Sequence, residues 1–171
     1  MLAYGSEPRH HGHGFSNAAS CTLPNLPGIV VKVALVDMGG PMMGRSNSMM
    51  GRSNSRMPGG VMRLAIDHST VTSGTVSLVA TNVGSRTHEL VVLPLSGSQE
   101  PGTRIVGKDG RVDETDSLGE ASKACGNGAG EGIVPRSSGW VTLNLAPGRY
   151  ELICNLTGHY AAGMYQELIV T

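Results

Sequence analysis

At 171 residues the chain is long enough for one domain with a real core, and its 13 Lys and Arg balance 13 Asp and Glu. A net charge of zero argues against nucleic acid or an anionic membrane as the main partner, and no run reaches the ~20 apolar residues of a membrane helix. With 25 glycines, 4% aromatics, few helix-forming runs and many short stretches of Val, Leu, Ile and Thr, the profile is that of an all-β sandwich or barrel with an aliphatic core.

Residues 1–27 read as a polar N-terminal tail punctuated by Gly and Pro, and 28–171 as the domain. The tail lacks the apolar region of a signal peptide, so the chain taken literally carries no export signal; a signal already removed, or a start that lies inside a longer precursor, are the alternatives. Ala18-Ala19-Ser20 before Cys21 resembles the end of a lipoprotein cleavage site, with Ala18 where leucine is usual. "GIVVKVALVD" (28–37) is the first strand. Residues 38–60 form a low-complexity insert containing "MMGRSNS" twice in tandem, too rich in Gly, Ser and Asn for a coiled coil, and read as a loop. "VMRLAID" (61–67) resumes the strand pattern. "TVSLVATN" (75–82) and "HELVVLPL" (88–95) read as a strand pair joined by "VGSRT". Residues 96–138 are loop-rich, with a short helix expected near "ETDSLGEASK" (114–123). "GWVTLNL" (139–145) is a strand, "APGR" (146–149) a turn, and "RYELIC" and "YQELIV" are strands flanking a last loop. The total is about seven to eight strands, enough for two packed sheets.

That last loop holds Cys154, His159 and Met164 at equal steps of five residues. Five residues along a strand or a helix do not return to one face. The three side chains converge only if the chain curls around a point, and Gly158 and Gly163 supply the freedom to curl. Each residue alone is most simply an ordinary core side chain. Together, a thiol, an imidazole and a thioether are a soft-metal set, and two His, one Cys and a weak axial Met make a blue-copper centre. A second His is then required. His10, His11 and His13 lie in the tail and His68 in the turn "DHST", whereas His88 opens a strand, the firmest support among them.

"TNVGSRTHELVVLP" (81–94) together with "APGRYELICNLTGHYAAGMY" (146–165) resembles the cupredoxin family of blue copper proteins. Both steps of C-x4-H-x4-M are similar to those of rusticyanin and the sulfocyanins. The resemblance covers residues 28–37 and 61–171. It implies a Greek-key β-sandwich, one type 1 copper, electron transfer rather than enzyme catalysis, and an extracytoplasmic location. It carries His88, Cys154 and His159 over as equatorial ligands and Met164 as the axial one. Glu89 stands where many members have Asn after the first His, so a bond attributed to that Asn is in question, and the Met-rich insert departs from compact members.

The residues after His159 are small or apolar, from Tyr160 through Ala161 and Ala162 to Gly163, and uncharged. His159 is therefore expected on the solvent side, with redox partners docking over Ala161 and Ala162 onto a monomer. Cys21 and Cys125 remain as an even pair, suited to a disulfide in an oxidising compartment, with two separate thiols or lipidation of Cys21 as the alternatives. Met42, Met43, Met49, Met50 and Met57 in the insert, with His10, His11 and His13, leave open a copper-binding or copper-delivery function. "DGRVDETDSLGE" (109–120) fails as a calcium loop because Arg and Glu occupy required positions. "GNGAGEG" (126–132) fails as a nucleotide loop for want of a strand before it and a helix after it. The "NLT" glycosylation triplet (155–157) lies inside the ligand loop.

Overall fold

The computed structural model describes residues 21–37 and 62–171. The tail histidines and the Met-rich repeat, on which the copper-delivery reading depends, lie outside the described residues. The strands are β1 (Ile29–Asp37), β2 (Met62–Ile66), β3 (Thr70–Val71), β4 (Gly74–Asn82), β5 (Leu90–Leu95), β6 (Gly119–Ala121), β7 (Ser138–Leu145), β8 (Gly148–Ile153) and β9 (Tyr165–Val170). They form two sheets in the orders β2-β1-β4-β7 and β3-β9-β8-β5-β6. The expected all-β sandwich is therefore present, with nine strands among the described residues against the seven or eight expected, two of them only two and three residues long.

Period-two alternation builds the core. Val31, Val33 and Leu35 of β1 and Val76, Leu78 and Ala80 of β4 face Leu90 and Val92 of β5, Leu152 of β8, and Leu168 and Val170 of β9. β5 reads as an unbroken apolar run because its other face is covered too. Val91 and Leu93 pack with Ile153, Val112 and Tyr160 in a second cluster. On the outside of the four-stranded sheet, Ser77 Oγ donates to Pro27 O at 2.7 Å, and Leu23, Pro24 and Leu26 line a groove with Val79. The Cys21–Cys125 disulfide staples this segment to the domain, which leaves no free thiol at Cys21 for lipidation.

Two local expectations fail. No helix forms at 114–123. Asp113 accepts hydrogen bonds from the amide and hydroxyl of Thr115, Ser117 N–H bonds Glu114 O at 2.8 Å, and Gly119 at φ +154° is far from helical. Side chains that bond nearby backbone compete with a helix, and β6 then pairs with β5. Nor do β4 and β5 pair. β4 lies between β1 and β7 in one sheet, and β5 between β8 and β6 in the other. Asn82 explains the crossing: its Nδ2 donates to Arg86 O at 2.6 Å and Ile133 O at 2.7 Å, which turns "VGSRT" from one sheet to the other instead of closing a hairpin. β7 and β8 also change sheets, with Tyr150 Oη donating to Ala146 O at 2.7 Å across the corner.

Candidate metal centre

β8 ends at Ile153 and β9 begins at Tyr165, paired antiparallel, so the segment between them is a closed loop. Cys154 N–H to Met164 O at 3.0 Å pins its neck. Inside, His159 N–H bonds Leu156 O at 2.9 Å, Gly163 N–H bonds Tyr160 O at 2.9 Å and Met164 N–H bonds His159 O at 3.2 Å, a run of tight turns. Gly158 and Gly163 take φ +81° and +103°, the left-handed region the sequence reserved for them.

His88 comes from the crossing between the sheets. It lies two residues before β5 rather than opening it, in an isolated antiparallel bridge with Ile133: His88 N–H to Ile133 O is 3.1 Å and Ile133 N–H to His88 O is 2.7 Å. A neighbouring element, not a hairpin, thus gives His88 its support.

The fold brings three of the four expected ligand atoms together. His88 Nδ1 and His159 Nδ1 are 3.2 Å apart, and Cys154 Sγ is 3.8 Å from the first and 3.3 Å from the second. A point equidistant from atoms at these separations lies about 2 Å from each, the length of imidazole–metal and thiolate–metal bonds to a first-row ion. Three donors in mutual contact without a charge between them have little else to do, so the set fits a small soft cation. Among the described residues it is the one grouping of three His, Cys, Asp or Glu side chains at metal-binding distance. Met164 is buried beside Cys154 in the core cluster.

Burial sets the electrostatics. His88, Cys154 and Met164 have no exposed surface, and His159 keeps 9%. Desolvation pushes the Cys154 thiol up to about 12, with the Glu89 N–H, 3.4 Å from Sγ, acting in the opposite direction. Desolvation also holds both imidazoles below their ordinary value; the Asp37 charge opposes this at His88, and the His88 charge adds to it at His159. Glu89 is pushed up to about 7, first by burial and then by Glu114 and Glu120. The residue after His88 therefore reaches the sulfur through its backbone N–H, which every residue but proline supplies.

Several supporting residues escaped the sequence reading. Asn155, next to the Cys, bonds Val112 through both ends of its amide (2.8 and 2.9 Å), and Gly158 N–H bonds Gly110 O at 2.9 Å, so the 110–112 segment clasps the loop. Asp37 Oδ2 lies 3.3 Å from His88 Nε2. A signal for Asp37 and Asn82 existed, since each continues the inward-facing phase of its strand, after Val31-Val33-Leu35 and Val76-Leu78-Ala80, and a polar residue in core phase calls for a partner. Tyr160 corrects the reading of the loop surface. It is 2% exposed and points into the second cluster, leaving Ala161 and Ala162 as the exposed pair beside His159.

The sulfocyanin (SoxE) domain matches residues 60–171, more than half of the chain. No curated protein sequence matches it. Among solved structures, a reduced auracyanin from Roseiflexus castenholzii is 21% identical over 63% of this chain and 87% of its own, with a TM-score of 0.45. Rusticyanin from Thiobacillus ferrooxidans is 16% identical over 89% of this chain and 86% of its own, at 0.45. Auracyanin A, a "blue" copper protein from Chloroflexus aurantiacus, is 16% identical over 83% and 99%, at 0.43.

Proposed function

We propose, from the premise that this chain belongs to the sulfocyanin family of cupredoxins, that it is a mononuclear blue copper protein passing single electrons between redox partners. His88, Cys154 and His159 would hold the metal, with Met164 as a fourth, weaker ligand. The observation that carries this reading is the ready-made triangle of two imidazole nitrogens and one sulfur at 3.2–3.8 Å. Copper bound to such a set supplies a one-electron Cu(I)/Cu(II) couple, whose potential the axial ligand and the surroundings of the sulfur tune.

The chain's own work is restraint. The loop neck at Cys154 and Met164, the His88–Ile133 bridge and the 110–112 clasp hold the ligands from three directions, so they have little freedom to relax toward the geometry either oxidation state prefers. Zero exposure at His88, Cys154 and Met164 excludes water from those positions. The Glu89 N–H offers the sulfur a donor for its negative charge. His159 retains the only exposed ligand surface, beside Ala161 and Ala162, and partners dock there to shorten the electron's path.

The reading is of a carrier, not an enzyme, acting as a monomer outside the cytoplasm, with 28–171 as the cupredoxin domain and 1–27 as a tail. The Cys21–Cys125 bond supports the location, because disulfides persist in oxidising compartments. No helix among the described residues is long and apolar enough to cross a membrane. Visible and paramagnetic-resonance spectra of the copper-loaded chain test the reading. One tightly held copper with an intense thiolate-to-metal band, lost in Cys154→Ser, is expected; a colourless or multi-copper protein overturns it.

A further inference from the structure

We propose that Asp37 is a positioning residue of the metal centre: its carboxylate takes the Nε2–H of His88, fixes that ring with Nδ1 toward the metal, and biases the couple toward the oxidised state. The inference rests on the copper reading above and extends it to a residue outside the ligand set.

Four observations carry it. His88 Nε2 is wholly buried and has no well-aligned hydrogen-bond partner, while Asp37 Oδ2 stands 3.3 Å from it. A ring that gives Nδ1 to a metal carries its proton on Nε2, so this position needs an acceptor, and Asp37 is the acceptor in reach. The carboxylate is itself held. Oδ1 accepts the Ser85 N–H, Oδ2 accepts the Arg86 N–H at 2.8 Å, and the Asp37 side chain is only 2% exposed. Finally, Gly84 leaves room for it, since a Cβ there would lie 2.3 Å from Oδ1.

A negative charge held in a low-dielectric site, one imidazole away from the metal, favours the ion of higher charge. No proton moves in this arrangement. Asp37 stays ionised and His88 Nε2 keeps its hydrogen while one electron enters or leaves the copper. The competing account is that Asp37 only caps the turn at 84–86. Asp37→Asn separates the two, because it removes the charge while keeping one of the two oxygens, and with it one of the two turn bonds to the Ser85 and Arg86 amides.

The test is voltammetry of the copper-loaded full chain and its Asp37→Asn variant. The expected result is a retained visible band with a potential raised by about 59 mV or more, a tenfold shift in the one-electron equilibrium. An unmoved potential in a folded, coloured variant leaves Asp37 as a turn cap and overturns the proposal. Should Asp37→Asn fail to fold, nitrogen-15 NMR of the zinc-loaded wild type decides. A slowly exchanging, strongly deshielded Nε2–H on His88 supports the proposal, and a fast-exchanging one refutes it. A wild type that never colours with copper rejects the functional reading instead, and this inference with it.

Discussion

Tyr160, the chain neighbour of His159, donates its hydroxyl at 3.0 Å to Glu151, a carboxylate with no exposed surface. Glu151 also accepts the Gly102 N–H at 2.7 Å and pairs with Arg104, whose own N–H bonds Tyr160 Oη at 3.0 Å. This network lies on the face of the five-stranded sheet away from the main core and ties the ligand loop to the 102–104 segment. Removing one partner of a buried pair leaves an uncompensated charge, which typically costs about 3–5 kcal/mol. Arg104→Met is therefore expected to lower the free energy of unfolding by an amount of that order, read as a lower midpoint in urea. Tyr160→Phe removes one hydrogen bond and is expected to cost about 1 kcal/mol. Both variants should retain the copper colour, since neither touches a ligand. Equal midpoints for Arg104→Met and wild type would show that the pair contributes nothing to stability.

Metal loading should release a proton. Burial holds the Cys154 thiol at about 12, so at pH 7 it is protonated, and it must ionise to bind. Both imidazoles are held below their ordinary value by burial and compete little above neutral pH. Copper(II) affinity is thus expected to rise about tenfold per pH unit between pH 7 and 9. Calorimetry in buffers of differing ionisation enthalpy should count one proton released per copper. Zero protons would mean that the sulfur binds protonated or not at all.

The Cys21–Cys125 bond closes a separation of 104 residues. Chain-entropy arguments put the stabilisation from a loop of that size at up to about 4.7 kcal/mol, with typical values of about 2–4. The double variant Cys21→Ser, Cys125→Ser should lose stability in that range while keeping the blue band, because the bond lies outside the ligand set. Denaturant titration of the two proteins makes the comparison, and coincident curves would deny the staple any energetic role.

Docking over the exposed alanines makes a kinetic prediction. Ala162→Glu places a charge beside His159 without altering a ligand. It should leave the optical spectrum intact and slow both self-exchange, read by NMR line broadening, and reduction by a protein donor, read by stopped flow. Unchanged rates would move the docking surface elsewhere.

Much of the centre is encoded locally. Cys154, His159 and Met164 lie within eleven residues, and their spacing between two strands, with glycines at 158 and 163, requires a curl whatever the rest of the chain does. Period-two alternation likewise specifies β1, β4, β7, β8 and β9, because burying one face of a strand is a property of that strand alone. What depends on partners distant in sequence was decided only by the tertiary structure. "VGSRT" looks like a hairpin turn, but Asn82 binds Ile133, 51 residues away, and the chain crosses to the other sheet. The same crossing places His88 opposite Ile133 and over Asp37, which are separated from it by 45 and 51 positions respectively. Tyr160 reads as a surface residue of a small-residue loop until Glu151 and Arg104 draw its hydroxyl inward. The physical reason is common to all three. Hydrogen bonds and ion pairs buried away from water must be satisfied by whichever partner the packed fold brings near, and that partner is chosen by the assembly of the sheets, not by the neighbours in the chain.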